Sequence, residues 1–505
     1  MSVVGPDLGS DAQVVVTDSV GDAAGADPEP SPPEAVPGEK LAAQVARQIE
    51  ASVIELGWPV GAVLGSEMEL RERYGVSRSI VREAVRLTEH HQVTRMRPGP
   101  GGGLVVVAPD AGPAMRALVI YLEYVGLTLA DLLEARLLLE PIAAAAAAKR
   151  VDEGDIAQLR ALLDDEVARA DEPGLHVQER LHVVLARMSG NPVLELFVDV
   201  LTRLTTNQAY STRKLTKAEI TQGKDSAHSR HEAIVAAVLA GDPGRASAET
   251  TDHLQEIAEW LRQREGRWKS ARTVRQAPEP ADHAKLAETV AAKVLGEITR
   301  RGWPIGFVLG SETDLLARHG VSRAVLREAV RILEYHSVAR MRRGPGGGLV
   351  VTEPEADASI DAIALYLDYR KVGPAHLVTV REAIELGALP AVLARRAEPE
   401  VTESLRAAIA RTGDPMPHGR TGADRFHAEL AVLSGNPVLT LFLRILTELW
   451  SRHTANTPGP QPGPDAVATV EAVHNRILAA ILDGDEDLAR HRLRRHLEAL
   501  KAWYH

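Results

Sequence analysis

The sequence predicts a mainly α-helical fold that is built twice along one chain, with a short β-hairpin in each copy. Alanine and leucine dominate the 505 residues, and both favour helices. The dipeptide Trp-Pro at 58–59 returns at 303–304, and the tetrapeptide Ser-Gly-Asn-Pro at 189–192 returns at 434–437. Both offsets are 245 residues (303 − 58 and 434 − 189), which is far too long for a solenoid repeat. The chain is therefore predicted to be a duplicated unit of two parts.

Composition narrows the class of protein. The chain contains no cysteine, which excludes disulfides and thiolate metal sites and fits a reducing compartment, so we expect a cytoplasmic protein. No run of about 18 apolar residues indicates a transmembrane helix, and the amino terminus lacks the pattern of a signal peptide, so we expect no membrane partner. The formal net charge of −11 argues against unspecific binding to nucleic acid.

Proline, glycine and polar residues divide the chain. Residues 1–37, rich in Asp, Pro, Gly and Ser, are predicted to be a disordered tail, and the polar residues 266–282 are predicted to be a linker. The polar residues 214–225 and the Pro-Gly-rich residues 457–464 are predicted to be loops. The predicted folded domains are two heads, 38–110 and 283–355, and two bundles, 111–265 and 356–505.

Each head begins with two predicted helices. Apolar residues recur at helical spacing through 41–56. Ser66 is predicted to start the second helix, because Glu69 stands three residues later and completes a capping box. Ser311 and Asp314 hold the same places in the second copy.

A third helix and a hairpin complete the head. Gly75 is predicted to stop the second helix, and Ser77 to cap a third helix that runs to about residue 90. Residues 93–96 and 104–107 then form a predicted two-stranded hairpin with a glycine-rich tip. Three helices with a tight turn before the third, followed by a hairpin, predict a winged helix-turn-helix whose third helix enters the DNA major groove.

Positive charge is concentrated on this part of each head. Residues 68–99 hold seven Arg against four Glu, a net charge of +3, and residues 313–344 hold seven Arg against three acids, a net charge of +4. A basic segment in an acidic chain is typical of a surface that faces phosphates. The alternative is that these arginines form an ordinary solvated helix face.

The head motifs resemble the amino-terminal domain of the GntR family of bacterial transcription regulators. They are Gly-Val-Ser-Arg at 75–78 and 320–323, and Arg-Glu-Ala-Val-Arg at 82–86 and 327–331. The resemblance spans about 70 residues in each copy and implies binding to a double-stranded DNA operator. By position, it implies these DNA-contacting residues: Ser77, Arg78, Ser79, Arg82 and Arg97 in the first head, and Ser322, Arg323, Arg327, Arg342 and Arg343 in the second.

The chain departs from the family pattern at two places in the heads. The family often has an Arg after the Ser-Glu dipeptide, where this chain has Met68 and Thr313, so one DNA contact of the family is not expected here. Ser79 in the first head is replaced by Ala324 in the second. We therefore expect the two heads to read half-sites that are not identical.

The segments after the heads carry helical patterns and no strand signals, and they resemble the FCD ligand-binding domain of the FadR subfamily, an all-α bundle. The residues that carry this resemblance are Arg136, Glu140, His182, His231 and His253 in the first copy, and Arg381, Glu385, His427, His474 and His496 in the second. The predicted fold class is therefore mainly α, with two winged helix-turn-helix domains that are each followed by an all-α FCD bundle.

Histidine spacing predicts a shared site in each bundle. His231 and His253 lie 22 residues apart with a Gly-Asp-Pro break midway, and the pair His474 and His496 has the same spacing. A helical hairpin that turns at the break brings both imidazoles to one level. Together with the earlier histidine of each copy, three imidazoles suit a divalent metal such as Zn or Ni. The alternative is that each is an ordinary buried histidine.

A carboxylate near the first histidine of each bundle is the candidate fourth ligand. In the family, a carboxylate four residues before the first histidine often completes the site, but Gln178 and Ala423 stand there. Glu179 and Asp424, three residues before the histidine, are the candidate fourth ligands.

One arginine in each bundle indicates which chemical group an effector would carry. Arg136 and Arg381 are expected to bind the carboxylate of a small effector, since a guanidinium matches a carboxylate in two hydrogen bonds. The alternative is an ion pair within the helix, with Glu140 or Glu385.

These expectations together predict a DNA-binding transcription regulator and not an enzyme. The two copies are expected to form an intramolecular pseudo-dimer that reads two half-sites about one helical turn apart, or a homodimer of such chains. The alternatives are a metal-dependent enzyme and a metabolite sensor that does not bind DNA, both built on the three-histidine bundles. Neither accounts for two arginine-rich heads.

Overall fold

The structure, a computed structural model, describes most of the chain. The described residues are 41–99, 101–170, 176–211, 217–265, 283–344, 346–354, 356–414, 422–455 and 464–501. The predicted tail 1–37, the predicted linker 266–282 and residues 457–463 of the predicted Pro-Gly loop lie outside them.

The first head consists of three helices and a hairpin, as predicted. Ser66 and Glu69 form the predicted capping box, and the Ser77 hydroxyl accepts a hydrogen bond from the Ile80 amide. The two strands pair antiparallel, with Arg97 opposite Gly103 at the tip. The elements are α1 (Leu41–Glu55), α2 (Glu67–Tyr74), α3 (Arg78–His90), β1 (Thr94–Arg97) and β2 (Gly103–Val106).

The first bundle is entirely helical over its described residues. The predicted loop at 214–225 is wrong for its second part, because Lys217 already begins a helix of 23 residues. Most of the polar residues there are lysine, glutamate and glutamine, which favour a helix as alanine does, so polar composition did not indicate a loop. The elements are α4 (Ala111–Val125), α5 (Leu129–Ala148), α6 (Glu153–Ala168), α7 (His176–Met188), α8 (Pro192–Ser211), α9 (Lys217–Leu239) and α10 (Pro243–Glu265).

The second half repeats this order. Ser311 and Asp314 form the second capping box, and Ser322 caps the third helix of the head. The head elements are α11 (His283–Arg300), α12 (Glu312–His319), α13 (Arg323–Tyr335), β3 (Ala339–Arg342) and β4 (Gly348–Val351). The bundle elements are α14 (Ala356–Tyr369), α15 (Pro374–Ala394), α16 (Pro399–Ala410), α17 (Asp424–Leu433), α18 (Pro437–Ala455), α19 (Pro464–Asp483) and α20 (Glu486–Lys501).

The two bundles share one hydrophobic core. Helices α4, α5 and α8 contribute buried side chains to the same cluster as α14, α15 and α18. At its centre the rings of Phe197 and Phe442, which are 245 residues apart, stack with centroids 3.7 Å apart. Buried apolar surface is the main source of stability for such a contact, so the halves are packed together as a pseudo-symmetric pair.

Each head packs against a helix of the other half. Trp58 of the first head lies against Tyr369 of α14, with ring centroids 5.5 Å apart, and Trp303 of the second head lies against Tyr124 of α4, at 5.4 Å. The Tyr124 hydroxyl also donates a hydrogen bond to Glu353 of the second head at 2.7 Å. The position of each head is therefore fixed by the opposite half.

Within the described residues, no helix combines the length and apolar character that crossing a membrane requires.

Candidate functional site: two reading heads and two histidine clusters

In the first head one glutamate, Glu67, orients the two arginines that the sequence predicts to contact DNA. Arg78 and Arg82 lie on the exposed face of α3, with 63% and 56% of their side chains accessible. Glu67 of α2 accepts a hydrogen bond from Arg78 Nε at 2.5 Å and another from Arg82 Nε at 3.1 Å. The hydrogen bond from Arg78 is the main reason why the pKa of Glu67 is lowered. The glutamate therefore orients both guanidinium groups while leaving them open to solvent.

The second head holds its arginines less tightly. Arg327 lies 3.8 Å from Glu312, and no ion pair of Arg323 is found among the described residues. Ser79 of the first head contacts the Ser77 hydroxyl at 2.9 Å, a contact that Ala324 cannot make. The two predicted reading surfaces thus differ in both side chains and restraint.

The wing tips present arginine on a tight glycine turn. Arg97 donates to the carbonyl of Gly101, and Arg342 donates to that of Gly346, both at 2.9 Å. Arg343 is exposed beside the second of these. A Cβ at position 102 would lie 2.7 Å from the Gly99 carbonyl oxygen, so only glycine fits this turn. The predicted wing arginines are therefore placed at an exposed tip.

The first histidine cluster brings three helices together. His182 of α7, His231 of α9 and His253 of α10 are all buried, and one ring nitrogen of each lies within 4.8 Å of the others. The Nε2 atoms of His231 and His253 are 3.1 Å apart. The Nδ1 of His182 lies 2.7 Å from Glu140, and the Nδ1 of His231 lies 2.6 Å from Glu166.

The second cluster has the same histidines and fewer carboxylates. His427 of α17, His474 of α19 and His496 of α20 are buried, and His496 Nε2 lies 3.1 Å from the Nε2 of each of the other two. Glu385 accepts a hydrogen bond from His427 Nδ1. The Nδ1 of His474 is buried and has no hydrogen-bond partner among the described residues. Phe426 stacks on the His474 ring at 4.4 Å.

Burial lowers the pKa of two histidines in the first cluster, His231 and His253, and of all three in the second. Burial, and then the neighbouring histidines, lower the pKa of His253 well below its usual value. Burial and the same kind of neighbour lower the pKa of His474 to about 2 and that of His496 to about 3. Neutral imidazoles with converging Nε2 atoms are the donor set that Zn²⁺ or Ni²⁺ takes from protein. The residues of both clusters therefore fit a divalent cation.

The two bundle arginines form the ion pairs that the sequence left as the alternative. Arg136 bonds Glu140 at 2.5 Å and Glu179 at 2.9 Å, so that all three of its guanidinium nitrogens have partners. Burial alone would raise the pKa of Glu140, but the charges of Arg136 and His182 outweigh it and lower that pKa to about 2.

Arg381 is paired less completely. It donates to Glu385 at 2.6 Å and to Asp424 at 3.2 Å, while its buried Nη1 has no hydrogen-bond partner among the described residues. The guanidinium carbon lies 5.6 Å from the ring centre of Trp450. Glu179 and Asp424, the candidate fourth metal ligands, therefore bind the two arginines, and neither belongs to the groups of converging ligand atoms.

Sequence reasoning missed Glu166. Its side chain is buried and accepts from both His228 and His231. The available signal was its place on the apolar face of α6, in line with the buried Leu159 and Leu162. A carboxylate at a core position of an amphipathic helix requires a buried partner.

Comparisons with known protein families match both parts of the duplicated unit. Residues 41–103 match the family of bacterial regulatory proteins, gntR family. Residues 131–256 and 376–499 match the FCD domain. The FCD match thus covers both histidine clusters and both bundle arginines.

Three relatives are transcription regulators. An uncharacterised HTH-type transcriptional regulator of Mycobacterium tuberculosis is 30% identical over 213 residues, which are 40% of this chain and 84% of that protein. The HTH-type transcriptional regulator LutR of Bacillus subtilis is 29% identical over 40% of this chain and 92% of its own. The Exu regulon transcriptional regulator of Escherichia coli is 27% identical over 43% and 83%. Each relative therefore matches about one half of this chain.

Among solved structures, a GntR protein of Streptococcus agalactiae aligns with 43% of this chain and 99% of its own, at 24% identity and a TM-score of 0.32.

Proposed function

Because the chain belongs to the GntR family of bacterial transcription regulators and carries the FCD domain twice, we propose that one chain is a complete regulator that reads a whole operator. The heads 38–110 and 283–355 each take one half-site, and the bundles 111–265 and 356–505 hold the effector sites. The regulator acts in the cytoplasm, where it meets DNA, and it has no catalytic role.

This proposal rests on one observation: each head packs against a helix of the opposite half of the chain. Trp58 packs on Tyr369 and Trp303 packs on Tyr124, so the paired bundles hold the two heads in a symmetric arrangement. Ordinary two-fold readers of DNA need two chains to present two recognition helices in this way. Here the covalent connection replaces the association step and raises the effective concentration of the second head.

The DNA contacts follow from exposure and charge. Arg78 and Arg82 in the first head, and Arg323 and Arg327 in the second, lie on the open faces of α3 and α13. Ser77 and Ser322 cap these helices, and the helix amino terminus with its free amides suits a phosphate. The wing arginines reach the backbone or the minor groove.

The effector is proposed to be a small carboxylate, and the histidine clusters are proposed to hold a Zn²⁺ or Ni²⁺ ion. When bound, such a cation supplies a fixed positive centre for an anionic effector. Arg381 offers a buried N–H group beside Trp450 that lacks a partner among the described residues, which suits the same ligand. Helices α4 and α14 connect these sites to the heads, so an effector that repacks a bundle changes the spacing of the heads.

The test is selection of bound DNA from random fragments by the full chain, at a stated moderate salt concentration because phosphate contacts are salt-dependent. The double variant Arg78→Ala/Arg323→Ala should lose the selected sequence while keeping its helical circular dichroism. The matched control is Arg160→Ala/Arg406→Ala, which removes two exposed arginines from the bundle helices α6 and α16.

Enrichment of one roughly two-fold symmetric site, lost in the head variant and kept in the control, supports the proposal. No enrichment by the unmodified chain, or equal retention by the head variant, contradicts it. A selected site with only one half-site would contradict the single-chain reading and leave DNA binding itself intact.

A further inference from the structure

We infer that the two histidine clusters are unequal, and that the first, His182, His231 and His253, binds a divalent cation at least tenfold more tightly than the second, His427, His474 and His496. This rests on the proposal that the clusters hold a divalent cation. It concerns how this duplicated chain divides that task between two sites with the same three histidines.

The first difference lies in the hydrogen-bond acceptors for the Nδ1 atoms of the histidines. An imidazole that binds a cation through Nε2 must carry its proton on Nδ1, and that N–H group needs an acceptor when it is buried. In the first cluster Glu166 accepts a hydrogen bond from His231 Nδ1 at 2.6 Å, and Glu140 lies 2.7 Å from His182 Nδ1, although the orientation leaves that Nδ1 without a hydrogen bond among the described residues. In the second cluster Glu385 serves His427, and His474 Nδ1 has no partner among the described residues.

The absence of this acceptor in the second cluster can be traced to one sequence position. Glu166 lies on α6 in line with the buried Leu159, and the corresponding buried leucine of α16 is Leu405. Counting the same seven residues onward reaches Thr412, which is buried and donates its hydroxyl to the Ile409 carbonyl instead. The second copy therefore has a short neutral side chain where the first has a carboxylate.

The second difference is the buried charge around the ligands. With neutral histidines, Arg136 with Glu140, Glu166 and Glu179 gives a formal charge of −2 (1 − 3), which a divalent cation balances. Arg381 with Glu385 and Asp424 gives −1 (1 − 2), which a divalent cation leaves at +1. An unbalanced buried charge is costly, so this difference acts in the same direction as the missing acceptor.

The missing acceptor sets the expected difference in cation affinity between the two clusters. Loss of a carboxylate that orients a metal-binding histidine lowers metal affinity by about 10-fold to 100-fold. The apolar wall formed by Phe426, stacked on the His474 ring, offers no replacement for it. The charge difference adds to this, so tenfold is the lower bound that we expect.

The experiment is a competition titration of the full-length, chelator-stripped protein with Zn²⁺ against a chromophoric chelator. The single-site variants His253→Ala and His496→Ala each disable one cluster. We expect two classes of site in the unmodified chain. His496→Ala should keep the tight class and lose the weak one, and His253→Ala should do the reverse.

The carboxylate itself is tested by Glu166→Thr, which places at this position the residue type that the second copy has at 412. This variant should weaken the tight class at least tenfold, whereas Asp165→Asn, which removes a neighbouring carboxylate of α6 that contacts only arginines, should leave it within twofold. Circular dichroism and thermal unfolding of the stripped proteins check that each variant is folded.

Equal Zn²⁺ affinities in the two single-site variants would overturn the inference, and so would a tight class that disappears in His496→Ala or an unchanged affinity in Glu166→Thr. Absence of Zn²⁺ binding in every protein would overturn the cation proposal as well. Operator selection by the same preparations is read separately, so a failure of the regulator proposal is distinguishable from a failure of this one.

Discussion

At the scale of single residues, Glu123 of α4 is a carboxyl without a visible partner. Its Oε2 is enclosed and has no hydrogen-bond partner among the described residues, and burial raises its pKa to about 7. Its counterpart 245 residues on, Asp368, lies 3.7 Å from Arg452. The first half thus retains an acid where the second half has an ion pair.

This acid predicts a dependence of stability on pH. A group whose pKa is higher in the folded state than in the unfolded state contributes stability that is complete below the unfolded pKa and lost as the pH rises through the folded pKa. Through Glu123 the protein should therefore lose on the order of 1–3 kcal/mol of stability between about pH 5 and pH 8, since one pKa unit is about 1.4 kcal/mol. The buried histidines with lowered pKa values act in the opposite direction at the acid end of this range.

Glu123→Gln, which is neutral at every pH, should remove this contribution from the slope of stability against pH in urea unfolding measured across the same pH range. Glu72→Gln, an exposed carboxyl of the first head, is the control and should keep the slope. If Glu123→Gln retains the full slope, another group is responsible and the expectation is wrong.

At the scale of elements, the repeated Ser-Gly-Asn-Pro motif joins the start of one helix to the opposite half. Asn191 Oδ1 accepts from the Val193 amide at 3.0 Å, at the start of α8, and Asn191 Nδ2 donates to the His376 carbonyl of α15 at 3.0 Å. In the second copy Asn436 caps α18 and donates to the Asp131 carbonyl of α5 at 3.1 Å. Each asparagine therefore caps its own helix and anchors the other half.

Asn191→Ala should cost more than an ordinary cap. Loss of the cap costs about 1 kcal/mol, and loss of the hydrogen bond across the halves adds about 0.5–1.5 kcal/mol. Urea unfolding followed by circular dichroism measures the sum. Ser77→Ala, an exposed cap that makes no contact across the halves, should cost about 1 kcal/mol alone.

Equal losses in Asn191→Ala and Ser77→Ala would show that the hydrogen bond across the halves contributes nothing. Asn436→Ala offers a second reading of the same quantity, because its amide also reaches Glu134 at 2.9 Å. It should lose at least as much stability as Asn191→Ala.

The elements also show what the sequence could predict. Capping boxes, the hairpins and the pairing of His231 with His253 were predictable, because each depends on residues a fixed short distance apart or on one helical hairpin. The partners of Glu166 and Asn191 were not, since they lie on helices distant in sequence. Residues from 217 onward were predicted to be a loop on polar composition, but they lie in α9.

At the scale of the whole molecule, the two halves of the chain are packed against each other. The shared core of the bundles, with Phe197 against Phe442 at its centre, and the two exchanged heads account for it. We therefore expect the purified protein to have the mass of one chain by light scattering while it protects a complete two-half-site operator. A mass of two chains on one operator would contradict this.

A contact between α5 and α15 gives the last prediction. Gly387 of α15 faces Leu138 of α5, and a Cβ at position 387 would lie 2.6 Å from Leu138 Cδ2. Gly387→Val should force the halves apart, since overpacking a well-packed contact costs about 1–3 kcal/mol. The two heads would then no longer keep their relative position. Affinity for the full operator should fall at least tenfold, toward that of a single head, because two joined heads bind about 10²–10⁴-fold more tightly than one.

Binding to an isolated half-site is the internal control, because each head is intact in Gly387→Val and should bind it as before. Leu138→Ala removes the two methyl groups that a valine at 387 would meet, so the double variant should recover most of the lost affinity for the full operator. Recovery would show that the fit between α5 and α15 sets the distance between the heads. A loss of affinity that the double variant does not reduce would mean that Gly387→Val acts within its own bundle. The relative position of the heads would then be set by the contacts of Tyr124 and Tyr369 with the heads.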